Sequence, residues 1–344
     1  MSGAELAHTP LNRPLLVTRW DLDKTYLRSD FSDLGDLWRS LLERPDQKRA
    51  VPGAATLLRL LGAGPVRVHV LSGSPRQMRS AIMKRFAMDG VRVDQLTLKP
   101  NASNLLRLRL RALKDQLGYK LSALLQARAL ELEEFGEPLP EVLVGDDSEA
   151  DAFVYSLYAD VCSGHVDLQL LERVLSAGDT YGDVMDRTLA SARVVAARGP
   201  GAPIHILVHL ERQSPPSRFA GFGPRLVPFH NYVQASLLLL SWGYLGAAAV
   251  YSLCQEMLDL HRFDLDKMAR SYLDLERRGH LGPRALEALE QSSDSASADL
   301  ALLATSVRNA RESAHFAPQA PAQVGALDYV ALAREHRAGH SRRG

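Results

Sequence analysis

Short apolar runs alternate with segments of helical periodicity over the first two hundred positions of the chain. Residues 15–20, 66–71, 91–98, 141–145 and 204–210 read as strands, the continuous runs among them as buried ones. Between them the spacing predicts helices. One opens at Pro52-Gly53, runs through Ala55, Leu57, Leu58 and Leu61, and closes at Gly62 and Gly64. A second starts at Ser74-Pro75 and carries Met78, Ile82 and Phe86, with Pro75 suited to a first helical turn. Residues 121–135 and 150–161 follow, while 105–117 fit either a helix or, through the Leu-Arg alternation at 106–111, an exposed strand. This alternation predicts an α/β fold, a doubly wound parallel sheet covered on both faces. Ligands of such sheets sit beyond the carboxyl ends of the strands.

After about residue 165 helices dominate, at 168–175 and 184–195, with 204–210 expected as an edge strand. The stretch 213–223, with Pro215 and Pro216, reads as a linker. It divides the chain into an α/β domain over 13–212, a helical region over 224–312 and a flexible tail over 313–344. The Ser-rich stretch 291–298 reads as a loop. One segment, 235–254, carries no charge over a length that would span a bilayer. Its Ser236, Ser241, Gly243, Gly246 and Ser252, and the absence of flanking basic clusters, favour a buried helix broken near Gly243. Peripheral membrane contact is the alternative.

Composition narrows the picture without deciding it. The 344 residues are 46% hydrophobic and 24% charged, as in a folded globular protein. A formal net charge of +1 gives no global attraction to nucleic acid, so no nucleic-acid partner is expected. Two cysteines, Cys162 and Cys254, imply no disulfide framework, and the reducing cytoplasm is the expected compartment.

Candidate chemistry sits where strands end. Asp21-Leu22-Asp23-Lys24-Thr25 follows the first apolar run, and Gly145-Asp146-Asp147-Ser148-Glu149-Ala150-Asp151 follows the fourth. Two acidic loops at strand ends suit a divalent cation, Mg²⁺ by its taste for carboxylate and phosphate oxygens, and phosphoryl transfer. Asp21 is placed to be a carboxylate nucleophile and Asp23 a general acid and base. Thr25 would tie down the loop by hydrogen bonding the loop's backbone. Ser72, with Gly73 and Ser74, ends the second strand, where hydroxyl and loop amides can hold a phosphoryl oxygen. The candidate metal ligands are Asp21, Asp23 through its backbone carbonyl, Asp146 directly, and Asp147 or Asp151 directly or through water. The bland alternatives are an Asp-rich turn at 21–25, a Ser74 helix cap, and helix-capping acids at 146–151. Lys120, at a helix start where the dipole disfavours a cation, is the preferred phosphate-facing lysine, with Lys99 its rival. The run Arg107, Arg109, Arg111 and Lys114 fits a solvated face or a second anion contact. His205, His209 and His230 read as packing residues, and Trp20 as core or crevice wall.

In this order, these elements resemble the haloacid-dehalogenase-like phosphohydrolase superfamily. More narrowly, VTRWDLDKTYL, VLSGSPRQM and VLVGDDSEADAFVY resemble the catalytic domain of the actin-patch-associated phosphatidate phosphatases and their bacterial relatives. Asp21, Asp23 and Thr25 match that family's first motif, Ser72, Ser74 and Pro75 its second, and Gly145, Asp146, Asp151 and Tyr155 its third. The resemblance covers about residues 13–210 and has Lys120 as the counterpart of the family lysine. Lys24 and Ala152 depart from the usual acid and proline. It implies a Mg²⁺-dependent phosphatase with little or no cap, working through an aspartyl-phosphate on Asp21. Phosphatidate or another bulky phosphorylated molecule is then the expected substrate. The competing expectation is a catalytically silent binding or scaffold module on the same fold.

Overall fold

The computed structural model describes residues 13–23, 25–26, 51–99, 117–147, 150–313 and 325–341. The basic run and the uncertain segment at 105–116, together with Lys24, lie outside them. The centre is an all-parallel sheet of six strands in the order β3-β2-β1-β4-β5-β6. The strands are β1 (Leu16–Asp21), β2 (Val66–Pro75), β3 (Gln95–Lys99), β4 (Glu141–Asp146), β5 (Ile204–His209) and β6 (Leu226–Phe229). Every residue of β1 and of β4 is buried, as central strands covered on both faces must be. On β1 the period of two sends Leu16 and Trp20 to one face and Arg19 and Asp21 to the other.

Helices cover both faces. Against the Trp20 face pack α1 (Ala54–Gly62), α2 (Arg79–Met88), α7 (Tyr232–Ser241), α8 (Ala247–His261), α9 (Leu265–Arg277), α10 (Pro283–Gln291), α11 (Ala298–Ala301) and α12 (Leu303–Ser313). Against the Arg19 face pack α3 (Ser122–Phe135), α4 (Asp151–Cys162), α5 (Leu168–Ala177), α6 (Gly182–Ala196) and α13 (Tyr329–Ser341). Two of the expected boundaries shift. The helix expected from Ser74 begins as a 3-10 turn at Arg76–Met78, and no side chain caps it, so Ser74 is not a cap. The third strand starts only at Gln95, because residues 91–94 turn into it and Asp94 N–H bonds the Val68 carbonyl.

The division into an α/β domain and a separate helical region does not hold. Residues 213–223 carry the chain from β5 to β6, which pairs with β5 in register Ile206↔Leu226. The expected edge strand is therefore internal, and the true edge is a four-residue strand containing Pro228, a residue that sheets tolerate only at edges. Arg278, which follows α9, donates to the Pro228 carbonyl at 2.7 Å. Leu237 and Leu238 of α7 belong to the same buried cluster as Val142 and Val144 of β4, so the later helices form one face of the sheet. The uncharged stretch is two helices, α7 and α8, broken at Gly243 with φ 79°. Among the described residues no helix is long and apolar enough to cross a membrane.

Of the expected flexible tail, 314–324 and 342–344 lie outside the described residues, and the rest carries a packed helix. Helix α13 docks Tyr329, Val330 and Ala333 into the Arg19-face core, and the Tyr329 hydroxyl donates to Asp160 at 2.6 Å. Three apolar anchors on one face, at i, i+1 and i+4, are too few to stand out from sequence.

Beneath the sheet's central strands lies a buried ionic cluster. Arg19 Nε donates to Glu141 at 2.5 Å and Nη2 to Glu131 at 2.6 Å, while Arg128 also pairs with Glu141. The Tyr158 hydroxyl lies 2.9 Å from both Glu141 oxygens. Arg19 Nη1 lies 3.0 Å from His69 Nδ1, and His69 Nε2 lies 2.8 Å from Thr97 Oγ1. Because guanidinium only donates, Nδ1 must accept, which assigns His69 as the neutral tautomer protonated at Nε2. Burial, followed by Arg19, holds its pKa well below the ordinary 6.5.

Candidate active site

The strand order reverses between β1, whose other neighbour is β2, and β4, which leads outward to β5. Adjacent loops leave such a switch point in opposite directions and open a crevice at the carboxyl ends. Asp21 is the last residue of β1 and Asp146 the last of β4, so both acids stand at its mouth. Asp151, first residue of α4, returns to the same place, with its Oδ2 accepting the Asp146 N–H at 3.2 Å. One carboxylate oxygen of each of the three lies within 4.8 Å of the others, and all three residues are buried.

Lys120 completes the group. It lies in a single π-helical turn, Leu117–Leu121, that leads into α3. Such turns commonly mark functional positions, since the extra residue re-aims the side chains that follow. Its ammonium lies 2.9 Å from Asp21 Oδ1 and 2.5 Å from Asp151 Oδ1, and only 2% of the residue is exposed. Lys99, half-buried at the end of β3, is separated from β1 by β2, and among the described residues Lys120 is the lysine at the acids. The preceding residue, Tyr119, was not foreseen. Its hydroxyl lies 2.7 Å from the Ser72 carbonyl and 2.9 Å from that of Thr97, pinning the end of β2.

Ser72 sits where a register shift between Ser72 and Pro75 bulges the strand end. Its hydroxyl donates to Asp23 at 3.4 Å and its Oγ accepts the Ser74 N–H at 3.0 Å. Asp23 is thereby placed at the crevice and half-buried, but its carboxylate is not one of the three clustered ligands. At Gly73 a Cβ would meet nothing within 4 Å, so no steric demand for glycine exists there.

Three expectations are corrected. Asp147 turns away from the cluster, because its carboxylate accepts the backbone N–H of Arg212 at 2.9 Å and of Ser214 at 3.1 Å. It anchors the loop after β5. The Thr25 hydroxyl, buried, has no hydrogen-bond partner among the described residues and does not tie down the loop. The Thr25 carbonyl does, accepting from Tyr232 Oη at 2.6 Å. Tyr232, from the region that carried no recognisable motif, also stacks on Trp20 with ring centroids 6.0 Å apart. His205 stacks on Trp242 at 4.0 Å and His209 packs against Phe229 and Tyr232, while His230 is exposed.

Three carboxylates share this buried space with the Lys120 ammonium. Like charges at this range oppose one another's ionisation unless a cation joins them. Oxygens bound to a single Mg²⁺ or Ca²⁺ lie no more than about 4–5 Å from one another, and one oxygen of each of these three carboxylates falls within 4.8 Å of the others. The donor set, all oxygen and no sulfur or imidazole, fits a hard divalent cation. Gly145 makes this packing feasible, since a Cβ there would lie 2.8 Å from Asp151 Cγ. Gly145→Ala is therefore expected to displace Asp151 and weaken divalent-cation binding at least tenfold, read by calorimetric titration with Mg²⁺; unchanged affinity would mean that Asp151 does not bind the ion.

Fold and site together define an α/β protein with a doubly wound parallel sheet, whose switch point holds a buried group of three aspartates and a lysine. Comparison of the chain with protein-family models, with curated proteins and with solved structures finds no match.

Proposed function

We propose that the chain is a Mg²⁺-dependent phosphomonoester hydrolase that works through an aspartyl-phosphate on Asp21. The observation that carries this reading is the convergence of Asp21, Asp146, Asp151 and Lys120 at the sheet's switch point. A divalent cation held by the three aspartates would neutralise phosphoryl oxygens. A carboxylate oxygen of Asp21 attacks phosphorus, the ester P–O bond breaks, and the leaving oxygen takes a proton from Asp23. Water then attacks the aspartyl-phosphate, giving its proton to Asp23, and phosphate departs as the Asp21 carboxylate is restored. Lys120, already bridging Asp21 and Asp151, holds the nucleophile in place and offers positive charge to the transferring group. The Ser72 hydroxyl orients Asp23, and the Ser74 N–H in turn fixes the Ser72 oxygen.

The test is release of inorganic phosphate from p-nitrophenyl phosphate and from phosphatidate in the presence of Mg²⁺. Wild type should turn over at least one of them, and Asp21→Asn should lose at least 1,000-fold in rate with its fold intact. Equal rates for the two proteins would overturn the reading. Phosphatidate is the first natural substrate class to try, on the motif resemblance alone.

A further inference from the structure

Helix α4 turns three polar residues toward the sheet along one face, at i, i+4 and i+7: Asp151, Tyr155 and Tyr158. Asp151 meets Lys120, and Tyr158 meets Glu141. Tyr155 lies between them, fully buried, and its hydroxyl has no hydrogen-bond partner among the described residues. Burial pushes its phenol far above the ordinary value, reinforced by Asp151, so it stays protonated and can donate. Asp21 and Asp146 push its pKa the same way, and Lys120 opposes them. Asp151 lies one helical turn before it, and none of the proposed proton transfers uses it.

An unsatisfied donor buried beside acids is a position where a partner is supplied by something that enters the site. We propose that Tyr155 is a positioning residue for the cation at Asp21, Asp146 and Asp151, its hydroxyl donating a hydrogen bond to a water that arrives in the ion's coordination shell. This rests on the cation site proposed above. Outer-shell donors of this kind orient ligands and waters, and their loss typically lowers metal affinity by about 10- to 100-fold. A phenol that merely filled the core would show no such effect.

The two roles separate in one experiment on Tyr155→Phe, which keeps the ring and removes only the hydroxyl. Mg²⁺ binding is measured by isothermal titration calorimetry on chelator-stripped protein, and thermal melting is followed in EDTA. The expected result is a melting temperature equal to or above wild type in EDTA, with Mg²⁺ affinity about 10- to 100-fold weaker. Wild-type binding with Tyr155→Phe affinity within twofold of it would overturn the role of Tyr155 and leave the cation site standing. A lowered melting temperature in EDTA would show that the hydroxyl already serves the folded chain, and would also overturn it. If wild type binds no Mg²⁺ while Asp21→Asn behaves identically, the cation site itself falls, and this inference with it.

Discussion

Lys120→Met is expected to lower the free energy of unfolding by about 3–5 kcal/mol, the range for removing one partner of a buried ion pair. The ammonium sits between two carboxylates, at 2.9 Å from Asp21 and 2.5 Å from Asp151. Methionine keeps the unbranched length and loses the charge, so Asp21 and Asp151 both lose their ion pair with Lys120. Urea unfolding in EDTA at neutral pH measures the loss, and a change below about 1 kcal/mol would show that the pairing contributes little. The origin of the effect can be separated from packing. Adding Asp151→Asn to Lys120→Met removes one of the stranded charges and should recover part of the stability. A coupling energy near zero in that double-mutant cycle would contradict the ion pair.

Arg19→Met is expected to destabilise by a comparable amount, about 3–5 kcal/mol, for the same reason in a different place. Arg19 is completely buried and joins Glu131 on α3 to Glu141 on β4, so its removal strands carboxylates between sheet and helix. Arg128 remains on Glu141, which leaves Glu131 as the less compensated of the two. The acid dependence of stability gives an independent check. Burial alone would raise Glu141, but Arg19 and then Arg128 outweigh it and hold its carboxyl at about 2 rather than the ordinary 4.5. A pKa lowered by folding contributes stability that is complete above the unfolded value. That contribution is lost as pH falls from about 4.5 through about 2, on the order of 3 kcal/mol for this group. His69, also lowered in the fold, adds a loss that begins below pH 6.5, whereas Glu131, raised mainly by burial, works against the trend. In Arg19→Met the Glu141 carboxyl rises, so the acid limb of the stability curve should flatten between pH 4.5 and 2. An acid limb identical to wild type would show that Arg19 does not set it.

Local patterns were enough wherever the physics is local. The runs before Asp21, Ser72 and Asp146 are rich in apolar and β-branched residues because strands covered on both faces need side chains that tolerate burial on each. The break at Gly243 was legible because a positive φ is a backbone demand that glycine meets. Strand β6 was not legible, since four residues with a proline inside carry too little alternation to separate a strand from a loop. Tyr119 and Tyr232 were missed for another reason. Each holds the site by phenolic hydrogen bonding to backbone carbonyls distant in sequence, and no spacing rule marks such a residue.

The sequence by itself determined which acids stand at strand ends, because alternation along a strand and its exit at the carboxyl edge are set within a few residues. It did not determine which of them meet. Lys120 reaches Asp21 across 99 positions, and Lys99 does not, because the order β3-β2-β1-β4 places a strand between Lys99 and the nucleophile candidate. Asp147 and Asp146 are chain neighbours with opposite tasks, one tied to the loop after β5 and the other turned into the crevice. Only the tertiary structure decides this, since crossover connections choose which loops share the switch point, and the side chains then take whichever donors and charges that arrangement supplies.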